Sequence, residues 1–304
     1  MLLTVFTPTY NRAYALPRLF ESLQAQSDKR FEWLICDDGS SDHTDEVVQG
    51  FIESADGFPI KYLKQRHGGK HRAQNIAMNS ASGKYFITCD SNKYLSENAV
   101  ERIITMFDTI KDMPEMCGVG GYRADFNGNV YGGPMKLDGP FVDCTNLDRQ
   151  RFNLGGDKAT AFYTDVLRHY PFPEFEGEYF VSESAWLTPM AMDGYKIRWF
   201  PQILVYGEYT EDGLTKQGAN DYRGHFKNFN GFLYVLGLEI QAYGLHERLP
   251  EIYEAFDIAK EKGVQTKILC EKLQLSRMQI SLLRLRRIFG KVKRRIKQRS
   301  FHEL

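Results

Sequence analysis

The sequence lacks the features that several functional classes require. Its five cysteines, at positions 36, 89, 117, 144 and 270, show neither the close pairing of a zinc site nor the density of a secreted disulfide scaffold. Cys36 and Cys89 fall inside apolar runs, where a free thiol behaves as a small hydrophobe. No apolar stretch approaches the ~18 residues of a membrane span, and the opening MLLTVFTPTYNR has no basic start. A protein of the reducing cytoplasm is therefore expected. No GxGxxG follows the first apolar run and no Walker A pattern exists, which weighs against dinucleotide oxidoreductases and phosphate-loop ATPases. Internal repeats and low-complexity segments are also missing.

Net charge is absent as well, with 39 basic and 39 acidic residues, but the balance is local. Residues 281–304 hold nine Lys or Arg and Glu303 as their one acid, so residues 1–280 carry 30 bases against 38 acids. Within the tail, Leu282, Leu283, Leu285, Ile288, Phe289, Val292 and Ile296 interleave with the bases. A helix of that composition suits an anionic membrane surface, so peripheral attachment at the inner face of the plasma membrane is expected. Without a stacking-platform pattern, nucleic acid ranks below membrane as a partner.

What is present is an alternation of strand and helix signals. Leu2 to Thr7 and Phe31 to Cys36 are short apolar runs, and between them Leu16, Leu19, Phe20 and Leu23 recur at helical spacing. The order repeats through Val47, Val48, Phe51 and Ile52 (helix), Ile60 to Leu63 (strand), and Ala73, Ile76, Ala77 and Ser80 (helix). Tyr85 to Cys89 gives a fourth strand, and Ser96 is placed to cap a helix bearing Val100, Ile103, Ile104 and Phe107. Such alternation predicts a mainly parallel sheet covered on both faces. Further on, Asn127-Gly128 reads as a hairpin turn, with strands at Ala159 to Tyr163, Lys196 to Phe200 and Leu204 to Tyr209 and a helix over Glu183 to Met192. From Asn220 onward amphipathic helices dominate, broken near Gly244, Gly263 and Ser276. The aromatics at 222, 226, 229, 232 and 234 are expected to pack those helices on the main domain.

Ligands of open parallel sheets bind beyond the carboxyl ends of the strands, and here every such place is polar. The first strand ends in Thr7-Pro8-Thr9-Tyr10-Asn11-Arg12 and the second in Asp37-Asp38-Gly39-Ser40. The third leads to His67-Gly68-Gly69-Lys70-His71-Arg72, and the fourth ends in Asp90-Ser91-Asn92. The glycines permit close backbone approach, and Lys70 and Arg72 place positive charge at a helix N-terminus, a suitable seat for a diphosphate. A plain loop with two solvated bases has the same composition. His67 and His71 have no carboxylate at metal-ligand spacing and read as structural or solvated.

At these four places, over roughly residues 1–215, the sequence resembles family 2 of the glycosyltransferases, which have the GT-A fold, use nucleotide sugars and invert the anomeric centre. The resemblance implies a GT-A domain at 1–215, with 216–304 as a C-terminal helical region ending in the basic tail. It implies that Pro8, Thr9, Asn11 and Arg12 lie against the nucleotide and that Asp37 and Asp38 support the ribose and read the base. A carboxylate at Asp38 suits the N3–H of uracil, because that bond is charge-assisted. Lys70, Arg72, Asp90 and Ser91 complete the implied nucleotide-binding set. The family's DxD motif, whose carboxylates hold Mn²⁺ or Mg²⁺ against the diphosphate, falls on Asp90 and Asn92. Here the chain departs from the family, since Asn92 offers an amide oxygen without charge and Lys93 stands where another acid is common.

Inversion needs a general base opposite the leaving group, usually a carboxylate. The run from Glu176 to Glu183 leads into an apolar helix and resembles the family region that carries the base, which places that role on Glu183 with Glu178 as runner-up. Glu183 as a first-turn acid aiding the helix dipole is the plainer reading. Tyr209 to Lys216 matches a stretch in which some members place a metal-binding His; Thr210 stands near that position, and the segment is expected to be a mobile lid with Lys216 as a phosphate contact. The function these residues imply is transfer from a UDP-sugar to a carbohydrate or lipid-linked acceptor in surface polysaccharide or glycolipid synthesis. The runner-up is a degenerate member that binds nucleotide sugar or a partner without turnover. A GT-A-like nucleotidyltransferase is disfavoured, because the glycine-rich basic segment after the first strand is missing.

Overall fold

The computed structural model describes residues 1–210, 213, 216 and 218–302, with side chains through 289. The chain opens with β1 (Leu3–Thr9), α1 (Leu16–Gln24), β2 (Phe31–Asp37), α2 (Thr44–Ser54), β3 (Ile60–Lys64), α3 (Lys70–Ser80) and β4 (Tyr85–Thr88). It continues through β5 (Lys93–Leu95), α4 (Ala99–Asp108), β6 (Met116–Ala124), β7 (Val142–Cys144), a 3₁₀ turn (Asn146–Phe152), β8 (Lys158–Tyr163), α5 (Thr164–Arg168), α6 (Ser184–Met192) and β9 (Lys196–Gly207). The helices α7 (Tyr222–Lys227), α8 (Phe229–Tyr243), α9 (Leu249–Glu261), α10 (Thr266–Leu273) and α11 (Arg277–His302) follow.

One sheet carries the strands in the order β3-β2-β1-β4-β8-β6-β9-β5, with β7 paired to β9. The half that bears the motifs, β3-β2-β1-β4, is parallel throughout, so its carboxyl ends share one edge. Strand β8 enters antiparallel between β4 and β6. This is the GT-A architecture expected from the sequence. Because successive side chains alternate across a strand, each run feeds two cores. Leu3, Val5, Trp33 and Ile35 go to the face covered by α1, α2 and α4, while Phe6, Leu34 and Cys36 go to the face with α3 and α6. Burial pushes the Cys36 thiol up to about 12, as expected of an inert core cysteine.

Three local expectations change. Residues 196–207 form one strand rather than two: Pro201 sits exposed where the β6–β9 ladder slips register between Gly120 and Tyr122, so its missing N–H costs no ladder bond. Ser96 does not cap α4, which starts after Asn98; its hydroxyl donates to the Ile203 carbonyl instead. The tail is not wholly outside the core. Ile280 and Leu283 are buried with α8, α9 and α10, and Arg287 is paired with Asp257, so α11 is anchored for its first three turns.

Candidate active site

The site forms where the parallel strand ends meet α3 and α6. After β1, Asn11 adopts φ 52°; its backbone N–H donates to the Ser40 hydroxyl oxygen at 2.8 Å and its side-chain oxygen accepts Ser41 N–H at 2.8 Å. Asn residues tolerate this left-handed geometry, and here it staples the first strand-end loop to the second. Asp37 accepts the Ser40 hydroxyl at 2.6 Å and the Tyr62 hydroxyl at 2.8 Å, which shapes the turn. Pro8 is half-buried and Thr9 buried below the same loop.

Asp38 is buried and does more than the sequence suggests. Its carboxylate accepts Gly68 N–H at 2.7 Å, Gly69 N–H at 2.9 Å and the Gln65 amide, and His67 Nδ1 lies 2.9 Å from Oδ2. It thus holds the β3–α3 loop onto the end of β2. Above it the His67 ring stacks on Tyr10 at 4.2 Å and on Tyr179 at 5.0 Å. His67 is therefore neither core nor free in solvent but part of an aromatic surface beside an acid. Gly69 has φ 97°, and a Cβ there would come 2.0 Å from the Tyr179 carbonyl, so the glycine lets the 179 segment close over the start of α3.

Lys70, the first residue of α3, extends to Asp90 Oδ1 at 2.8 Å and lies 3.5 Å from Glu183 Oε1. Arg72 faces away from them, bonding the Phe175 carbonyl at 2.7 Å and Glu174, and Asn75 ties α3 to Phe172. The structure therefore brings Lys70, Asp90 and Glu183 together and leaves Arg72 to brace the 172–175 loop. His71 is buried beside Phe172; burial, with Arg72 adding to it, pushes its imidazole down to about 4.

Asp90 is the hub. Its Oδ2 lies 3.1 Å from Lys93 and 4.0 Å from Arg123, both largely buried, so Lys93 points inward rather than to solvent. Arg123 also pairs with Asp157 at 2.8 Å. Burial alone would raise the Asp90 carboxyl, but Lys70, Lys93 and Arg123 outweigh it and hold it well below its ordinary range. Burial likewise opposes charge on Lys70, and the Asp90 and Glu183 carboxylates overcome it and raise the ammonium. Ser91 is buried, and the Asn92 amide donates toward Thr210 Oγ1 at 3.2 Å. Glu211, Asp212, Leu214 and Thr215 of the expected lid lie outside the described residues.

These groups do not fit a divalent cation. Among the described residues no set of three or more His, Cys, Asp or Glu is disposed to hold one. Asp90 faces three side-chain cations, and the Asn92 amide is turned to Glu208 and Thr210, just after β9. Hard cations draw much of their affinity from ligand charge, which is here already neutralised.

Glu183 is the N-cap residue of α6, with its side chain about half exposed and turned toward Lys70. Glu178 is different. It is buried, and its carboxylate accepts Asn230 N–H at 2.7 Å, the Asn230 amide at 2.9 Å and Gly231 N–H at 2.8 Å, satisfying donors in the first turn of α8. Sequence reasoning missed Arg123 and Asp157 altogether. No local signal marks Arg123, which is part of the apolar run of β6, whereas Tyr10 lies within the first recognised motif and Lys93 directly follows the fourth.

Comparison with known proteins identifies the family and the fold. Residues 4–160 match the model of glycosyl transferase family 2. The chain is 28% identical over 218 residues to Glycosyltransferase GlyA of Streptococcus pneumoniae, covering 71% of this chain and 27% of that protein. It is 26% identical over 132 residues to Glycosyltransferase GlyG of the same species, 43% of this chain and 42% of that one. The chain thus spans less than half the length of either relative. Chondroitin synthase of Pasteurella multocida is 32% identical over 116 residues, 38% of this chain and 12% of that protein. Among solved structures, residues 1–349 of TarS from S. aureus, in complex with UDP-GlcNAc, superpose with a TM-score of 0.59 at 19% identity, covering 85% of this chain and 72% of that one. The mannosyltransferase PcManGT of Pyrobaculum calidifontis, in complex with GDP-Man and Mn²⁺, gives 0.55 at 17% identity, with 85% and 73% covered. With the family's strand-end motifs gathered on one edge of a GT-A sheet, the chain belongs to glycosyl transferase family 2.

Proposed function

We propose that this glycosyltransferase moves a sugar from a UDP-linked donor to a hydroxyl of a carbohydrate or lipid-linked acceptor, with inversion, in the synthesis of a surface polysaccharide or glycolipid. The observation that carries the reading is the alignment of Glu183, Lys70 and Asp90, a carboxylate open to solvent beside a cation at the start of a helix. Uracil would lie against the Tyr10 aromatic surface within reach of Asp38, with Asp37, Pro8, Thr9, Asn11 and Arg12 around the nucleoside. Lys70, at the first turn of α3, would take the diphosphate. Glu183 would accept the proton of the acceptor hydroxyl as its oxygen attacks the anomeric carbon, and the bond to the diphosphate oxygen breaks on the opposite face. Lys70 then stabilises the negative charge on the departing UDP. The UDP-GlcNAc bound by the TarS neighbour and the polysaccharide synthases among the relatives support the donor and acceptor classes.

Residues 1–215 would form the transferase unit and 216–304 the helical appendage, whose basic end would rest on an anionic membrane surface; no helix among the described residues is long and apolar enough to cross one. A panel of UDP-sugars with and without acceptors, read by released UDP and by the anomeric configuration of the product, tests the reading. Binding of UDP-sugars with no UDP released by any donor and acceptor pair would establish the non-catalytic alternative. A product that keeps the donor's anomeric configuration would refute inversion.

A further inference from the structure

We propose that the cation set Lys70, Lys93 and Arg123 holds the donor diphosphate in place of a divalent metal ion. The inference rests on the nucleoside-diphosphate reading above and adds to it the residues that carry the charge. In a site with two carboxylates, a bound divalent cation brings the local charge to zero. Here Asp90 contributes one negative charge, Asn92 none and Lys93 one positive, so the same three positions are neutral without any ion. Lys93 is fixed in that role. Its side chain is about one-tenth exposed, its ammonium lies 3.1 Å from Asp90, and its aliphatic stem packs on Gly207, where an added Cβ would come 2.6 Å from Lys93 Cγ.

Arg123 extends the set from a different strand. It reaches Asp157 at 2.8 Å and Asp90 at 4.0 Å, and its buried Nε has no hydrogen-bond partner among the described residues. A buried guanidinium donor without a partner costs stability unless a ligand or water satisfies it. The three cations face Asp90 and Asp157, which leaves one net positive charge beneath the start of α3, balanced only by the half-exposed Glu183 carboxylate 3.5 Å from Lys70 on the acceptor side. A divalent cation entering there would meet three like charges within a few ångströms, whereas a diphosphate is attracted. Lys70, the more exposed of the three, is placed to contact the phosphates directly, with Lys93 and Arg123 as the floor beneath Asp90.

The experiment is calorimetric titration of the full chain with UDP and, separately, with uridine, in excess EDTA and in Mn²⁺. The expected UDP affinity is the same in both buffers within about twofold, because the cations that a metal would supply are already covalently present. Lys93→Met, which keeps the stem packed on Gly207, should weaken UDP by about tenfold or more and leave uridine unchanged, because it leaves the Asp90 charge less compensated beneath the phosphates. The double variant Asn92→Asp with Lys93→Asp, which restores the acids, should bind UDP well in Mn²⁺ and poorly in EDTA. A wild-type protein whose UDP affinity collapses by more than about tenfold in EDTA and returns with Mn²⁺ overturns the proposal. Uridine binding in the wild type with no gain from the diphosphate also overturns it while sparing the nucleoside site. Failure of both ligands in both buffers removes the nucleotide reading itself.

Discussion

Replacing Glu178 by Gln should unfold the protein earlier without abolishing chemistry, and Glu183→Gln should do the reverse. Both oxygens of Glu178 are buried and committed to three donors in the first turn of α8. A glutamine keeps one acceptor oxygen for Asn230 but turns an NH₂ group toward Gly231 N–H, donor against donor. The loss is one charge-assisted hydrogen bond plus the burial of an unpaired N–H, together about 2–5 kcal/mol, and the negative charge at the start of α8 goes too. For a chain of this size that corresponds to a melting temperature lower by roughly 3–8 °C. Glu183, half exposed at its N-cap, should change stability by less than about 0.5 kcal/mol on substitution by Gln, and yet kcat should fall by roughly 10² to 10⁴ with donor affinity kept. Thermal melts paired with UDP-release assays run well below the melting point separate the two. A Glu178→Gln protein with normal melting and no turnover, beside an active Glu183→Gln protein, would refute the assignment of the base.

Asp38→Ala should weaken UDP by more than about tenfold, and it should also loosen the β3–α3 loop, read as faster amide exchange at Gly68 and Gly69, whose N–H groups lose their acceptor; equal UDP affinity in calorimetry would remove Asp38 from base recognition. His71 gives a pH signature. Its imidazole ordinarily titrates near 6.5 and is held at about 4 in the folded state, so the unfolded chain takes the proton first as pH falls. Stability from this group is therefore unaffected above about pH 7 and is lost between 6.5 and 4, by about 3 kcal/mol at most. Denaturant unfolding of wild type and His71→Leu should show their difference shrinking in favour of the variant across that window; a pH-independent difference would contradict it. Deleting residues 290–304 removes six Lys or Arg but leaves Ile280, Leu283 and the Arg287–Asp257 pair in place. The truncated chain should melt as wild type and cease to float with anionic liposomes, and continued flotation would disprove the membrane role of the tail.

Much of this protein was legible in its sequence because the informative features are local. Strand and helix periodicity, the Gly-Gly ahead of Lys70 and the polar turn after each strand are each contained within about a dozen residues, and parallel strands put those turns on one edge. The α/β alternation and the polar edge follow from that alone, and the motifs on that edge carry the resemblance to the family. The electrostatics of the site do not follow from local features. Lys70, Asp90, Lys93, Arg123 and Asp157 meet because β8 enters antiparallel beside β4 and carries β6 with it, pairings between residues 36 to 78 positions apart. From sequence, Lys93 reads as a positive charge where an acid is common, able to serve the diphosphate together with Lys70 or Arg72; the fold makes it a buried partner of Asp90 and turns Arg72 away. The choice between Glu178 and Glu183 is likewise tertiary, since nothing within the run from Glu176 to Glu183 says which carboxylate the start of α8 will claim. Local pattern fixes where backbone goes, because turns and periodicity act over a few bonds. Charge acts through space, so only the packed structure decides which charges face one another and which face the ligand.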